Sequence, residues 1–120
     1  MVAELNDETF NTKISVNKPT IVFFYKKDCE HSNAFAPKVD KLEKEFPMIK
    51  FYKLDVDEFT ELAKDNNASI VPCLTLFRIG REIGKIVGNE DYDLVKEKIS
   101  THFKDYIFSD EELATAGDKM

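Results

Sequence analysis

Apolar residues fall into short runs rich in β-branched and aromatic side chains, separated by segments with helical spacing, a pattern that predicts alternating strands and helices. Val2 to Leu5 reads as a short edge strand, and Asn6 or Asp7 as the cap of a helix running to about Val16. Pro19 closes the turn into Thr20-Ile-Val-Phe-Phe-Tyr25, a buried strand. Beyond it Phe35, Val39, Leu42 and Phe46 recur at helical spacing, with Lys38, Lys41, Glu43 and Lys44 on the other face, so a helix is expected from about Ser32 to Phe46. Pro37 lies inside it and predicts a kink. Ile49 to Val56 alternates as a strand, and Asp57 is placed to cap a helix from Phe59 to Asn66. Gly80 suits a hairpin turn between Leu74–Ile79 and Glu82–Val87, and a last helix is expected from near Asp91 to about Lys104.

Composition limits the number of domains and the class of partner. A chain of 120 residues with 42% hydrophobic content and ten Phe can fill one core. A net charge of −6 argues against nucleic acid or an anionic membrane as the main partner. Half of that excess lies in residues 109 to 120, so a domain from 1 to 106 followed by an acidic tail from 107 to 120 is expected. Ser109-Asp-Glu-Glu112 has capping-box spacing, but Ala114 to Met120 offers little to bury, which favours a frayed tail. Two Cys do not make a secreted disulfide scaffold, and no stretch approaches the roughly 20 apolar residues of a membrane span. The expected setting is therefore the cytoplasm, or the endoplasmic reticulum if a signal peptide had been removed; only then would the sequon Asn67-Ala68-Ser69 matter.

The residues that suggest chemistry are Cys29-Glu30-His31-Ser32, between the buried strand and the start of a helix. Free backbone N–H groups and the helix dipole there favour a thiolate, the form that attacks disulfides. Ser32 stands where a second Cys would complete a dithiol centre, so the chemistry expected is monothiol. Protonated His31 would favour the Cys29 thiolate while Asp28 and Glu30 oppose it; His31 is otherwise a solvated surface residue. Ser32 either donates a hydrogen bond to Cys29 or serves only as a helix N-terminal residue. Two separated His and two Cys call for no metal.

Phe24-Tyr25-x-x-x-Cys29-x-His31, Ala36-Pro37-Lys38, Lys41-Leu42 and Glu45-Phe46 resemble the redox domains of protein disulfide isomerases. Lys53-Leu54-Asp55-Val56-Asp57, Val71-Pro72, Phe77 and Gly80 fit those domains and thioredoxin equally well, and the resemblance to the thioredoxin superfamily spans roughly residues 2 to 104. It implies an α/β thioredoxin fold, a central mixed sheet flanked by helices on both faces. It also implies that His31 stabilises the thiolate, and that Val71 and a cis Pro72 form the ledge that receives an extended substrate strand. The chain departs from the family at Asp28-Cys29-Glu30-His31-Ser32, where Trp-Cys-Gly-x-Cys is usual, and at Phe23, where the family carries a buried Asp or Glu.

Cys73 follows Pro72, where the family usually has Thr. It reads either as a buried strand residue or as a resolving thiol for Cys29. The expected activity is thiol–disulfide exchange on protein disulfides through Cys29, with His31 and Ser32 assisting and glutathione or Cys73 resolving the adduct. The alternative is a non-catalytic binding module that holds client or partner proteins in the Val71-Pro72 groove or through a mixed disulfide.

Overall fold

The computed structural model describes residues 2 to 104, so the expected acidic tail and its capping box lie outside the described residues. Five strands, β1 (Ala3–Glu4), β2 (Thr20–Tyr25), β3 (Lys50–Asp55), β4 (Cys73–Arg78) and β5 (Arg81–Val87), form one mixed sheet in the order β1-β3-β2-β4-β5. β1, β3 and β2 are parallel, whereas β4 and β5 run antiparallel to their neighbours. Four helices connect them: α1 (Phe10–Ile14), α2 (Glu30–Glu45), α3 (Thr60–Asp65) and α4 (Tyr92–His102).

The two-residue period of the strands divides the apolar side chains between two core layers. Ile21, Phe23 and Tyr25 of β2 pack with Leu74 and Leu76 of β4 against Phe35, Val39 and Leu42 of α2 and Val95 and Ile99 of α4. Val22 and Phe24 face the other way, with Leu54, Cys73 and Phe77, against Phe10 and Ile14 of α1 and Ala63 of α3. The helices thus cover both faces, and β2, buried along its whole length, sits between them.

Strand ends shift by a residue or so from the sequence reading, and several helix ends differ as well. Asn6 does cap, but its Oδ1 accepts the N–H groups of Glu8 and Thr9, both at 2.9 Å, so residues 7 to 9 form a turn and the helix starts at Phe10. α1 also ends at Ile14 rather than Val16. Asp57 does not cap α3: its carboxylate faces Lys26 Nζ at 3.8 Å, and α3 begins after Phe59 with no side-chain cap. α2 begins at Glu30, two residues before Ser32, and continues through Pro37, whose missing N–H leaves the Asn33 carbonyl without its helical donor.

The β4–β5 hairpin turns through Ile79 and Gly80, with φ of 49° and 78°. Two positive φ values match the right-handed twist of the flanking strands, which is why Gly suits the second position. The Gly80 N–H donates to the Ile14 carbonyl at 2.8 Å and pins the turn to the end of α1. At Ile79 the same conformation is costly for a β-branched side chain, which here is 60% exposed. Farther along, the register shifts between Leu76 and Phe77, leaving Ile83 as the extra residue of a bulge on the sheet edge.

Candidate active site

β2 delivers the chain to the site. After Tyr25, the segment Lys26-Lys27-Asp28 turns back on itself through a Cys29 N–H to Lys26 carbonyl bond of 3.2 Å, and Cys29 becomes the N-cap of α2 with extended backbone. Its carbonyl accepts the Asn33 N–H at 3.0 Å, closing the first turn of the helix, and the thiol remains partly exposed. Ser32 follows one turn later, where a side chain lies on the same helix face as Cys29. It is only 1% exposed, and its Oγ accepts the Lys26 N–H at 3.3 Å.

The Cys29 thiol is held below its ordinary pKa, first by the Ser32 N–H and then by the Ser32 hydroxyl. Burial opposes them with a smaller effect, and the His31 N–H and the charge of Lys26 add still smaller lowering effects. His31 therefore contributes through its backbone at the helix start; its imidazole is exposed. The free N–H groups of an N-terminal turn are the physical source of this stabilisation. Sequence reasoning passed over Lys26, although a Lys-Lys pair just before the Cys of an acidic chain was a readable signal. Lys26 and Lys27 also meet carboxylates, Asp57 at 3.8 Å and Asp55 at 3.7 Å.

Val71 and Pro72 come to the same end of the sheet, because Cys73 pairs with Phe24, the penultimate residue of β2. The Val71–Pro72 peptide bond is cis. Pro72 is buried, Val71 is half-buried, and Ile70 beside them is 70% exposed, an apolar surface that strand patterning does not register.

Cys73 belongs to a different environment. Its side chain packs with Phe24 and Phe77 in the layer covered by α1 and α3, whereas α2 covers the opposite layer. Burial raises its pKa, and its Sγ lies 3.6 Å from Thr75 Oγ1. Both cysteines are free.

Beneath the start of α2 lies a cavity of about 150 Å³ lined by Phe23, Tyr25, Ser32, Val39 and Lys53, among others. Phe23 packs against Phe35 and Tyr25 there, with ring centroids 5.8 and 5.6 Å away. At the edge of this region the Tyr25 hydroxyl donates to Glu4, and Lys53 Nζ lies 3.7 Å from the same carboxylate. Burial and the Glu4 charge keep Tyr25 protonated well above the usual tyrosine range. Among the described residues, no group of three or more His, Cys, Asp or Glu could hold a metal ion, and no helix is long and apolar enough to cross a membrane.

Comparison with known proteins agrees with this arrangement. Residues 1 to 101 match the family model described as thioredoxin. Thioredoxin-1 of Saccharomyces cerevisiae is 39% identical over 79 residues, which cover 66% of this chain and 77% of that protein. Mitochondrial thioredoxin-2 of Schizosaccharomyces pombe is 34% identical over 79 residues, 66% of this chain and 59% of that protein. Among solved structures, mitochondrial thioredoxin 3 from Saccharomyces cerevisiae in its oxidised form superposes with a TM-score of 0.76 at 29% identity, covering 83% of this chain and 94% of that one. A strand-to-helix junction carrying Cys29 on a mixed five-stranded sheet, together with these similarities, makes the chain a member of the thioredoxin family, with the thioredoxin fold.

Proposed function

We propose that Cys29 performs thiol–disulfide exchange as a monothiol on protein disulfides, with glutathione releasing its adducts. The observation that carries this reading is the pairing of Cys29 with Ser32. The serine supports the thiolate through its N–H and hydroxyl but supplies no second sulfur. Phe24-Tyr25 ahead of Cys29 and His31 after it, the features shared with disulfide isomerase domains, favour protein disulfides as the client class. Val71, cis Pro72 and exposed Ile70 offer an extended client an edge to lie on.

In the first step the Cys29 thiolate attacks one sulfur of a client disulfide, forming a mixed disulfide and expelling the other client sulfur as a thiolate, which takes a proton from solvent. A glutathione thiolate then attacks the Cys29 sulfur and releases the second client thiol. A second glutathione attacks the glutathione sulfur of that adduct, yielding oxidised glutathione and free Cys29. Alternatively, the expelled client thiolate attacks a second client disulfide, and the thiolate freed there attacks the client sulfur of the mixed disulfide and expels the Cys29 thiolate, which rearranges the client's pairing without net reduction. Cys73 is assigned to packing, since it is buried, holds its proton tightly and lies in the layer opposite α2. The proposed setting is a reducing cytoplasm, where glutathione is at hand.

Glutathione-driven reduction of a glutathionylated protein distinguishes turnover from mere binding. Catalysis is expected above the rate of glutathione alone. Because the Cys29 pKa is lowered, the rate should level off below the roughly 8.5 of an ordinary thiol and fall at lower pH as the thiolate is protonated. No catalysis, together with a stable client adduct, would favour the binding module instead.

A further inference from the structure

Lys38 does not join the solvated face of α2 that its spacing suggests. It is half-buried, with Nζ 5.9 Å from the centre of the Phe35 ring, and it donates to Asn89 Oδ1 at 3.0 Å and to the Glu90 carbonyl oxygen at 2.9 Å. Both acceptors are neutral. An ammonium bonded to two neutral oxygens of one loop fixes the place of that loop, and each such bond is stronger than one between uncharged groups. Glu90 turns its carboxylate the other way, to Lys98 Nζ of α4 at 2.8 Å. The loop between β5 and α4 is thus gripped from both helices.

The same loop reaches the site. Gly88, its first residue, donates its N–H to the Pro72 carbonyl at 2.8 Å, which extends the β4–β5 ladder by one bond past the Cys73–Val87 pair. Pro72 is therefore bonded to a loop whose next two residues are tied to α2, and α2 is the helix that Cys29 caps. The loop has no helix or strand of its own to hold it, so its position depends on these ties.

We propose that Lys38 is a positioning residue that sets the Val71-Pro72 edge relative to Cys29 and thereby favours extended peptide clients over small disulfides. This rests on the reading of that edge as the place where a client lies. A small disulfide needs only the sulfur of Cys29, whereas an extended client must meet the sulfur and the edge together, and a displacement of about 1 Å between them is costly. The charge that favours the Cys29 thiolate is that of Lys26, so Lys38 is assigned the placement of the client rather than the reactivity of the sulfur.

Lys38→Met keeps the aliphatic stem beside Phe35 and removes the donors. The readout is the rate at which Cys29 forms an adduct with a short peptide whose single cysteine is capped by 2-mercaptoethanol, compared with the rate for hydroxyethyl disulfide, which has the same leaving thiol. The ratio of the two rates should fall about fivefold in Lys38→Met and recover in Lys38→Arg, whose guanidinium can donate to both oxygens. The Gly88 amide should exchange with solvent about tenfold faster in Lys38→Met, with exchange in α3 unchanged. An unchanged ratio would overturn the proposal, and so would an unchanged Gly88 amide. Adduct formation needs no turnover, so a protein that traps the peptide but never releases it to glutathione would overturn the monothiol turnover reading and leave this result standing.

Discussion

Cys29→Ser is expected to reduce glutathione-driven disulfide exchange to the rate of glutathione alone while leaving the fold intact. Serine keeps the size of the side chain and the extended N-cap backbone, and it is itself a preferred capping residue. What it removes is the only thiol that is both partly exposed and biased toward the thiolate. The loss should be in turnover, measured with the variant's thermal melting as a control for folding. An active Cys29→Ser protein would transfer the chemistry to Cys73, although that thiol is 1% exposed and its pKa is raised by burial.

Ser32→Cys should have the opposite effect when a dithiol reductant drives the reaction. The new thiol would lie one helical turn from Cys29 on the same face and would attack a Cys29 adduct intramolecularly. Even a modest effective molarity exceeds millimolar glutathione, so insulin-disulfide reduction should rise by about tenfold or more. Ser32 is buried beside Phe23, which cannot carry a proton, and this restrains the gain. Combining Ser32→Cys with Phe23→Asp should raise it again at some cost in stability, since a carboxylate would enter an apolar layer beside the small cavity toward Lys53. A Ser32→Cys protein as slow as the parent would mean that the site binds clients rather than turning them over.

The order of elements was legible because the strands announce themselves. Thr20–Tyr25 is an unbroken apolar run, as a strand buried on both faces requires, and its bounds match those read from the chain. The helix ends were harder to read, since short polar side chains have competing uses. Asn6 ties down a turn before the helix begins, and the Asp57 carboxylate faces Lys26 rather than the N–H groups of α3.

Within the site, the thiolate-favouring position of Cys29 was legible from strand-then-helix order. The division of labour around it was not. The N–H of His31 takes part, and Lys26 contributes a charge as well as the N–H that holds Ser32. Such effects depend on how three residues curl between β2 and α2, which no periodicity encodes. The environment of Cys73 was hidden for a related reason: alternation pairs it with Thr75 and Phe77, but only packing tells which helices cover that face.

The most direct test of monothiol chemistry is mass spectrometry of the full chain after incubation with oxidised glutathione. The account predicts a single added glutathione, mapped by peptide analysis to Cys29, with Cys73 still reduced. Loss of about two hydrogens with no adduct, and a peptide linking Cys29 to Cys73, would contradict it and make the protein a dithiol enzyme.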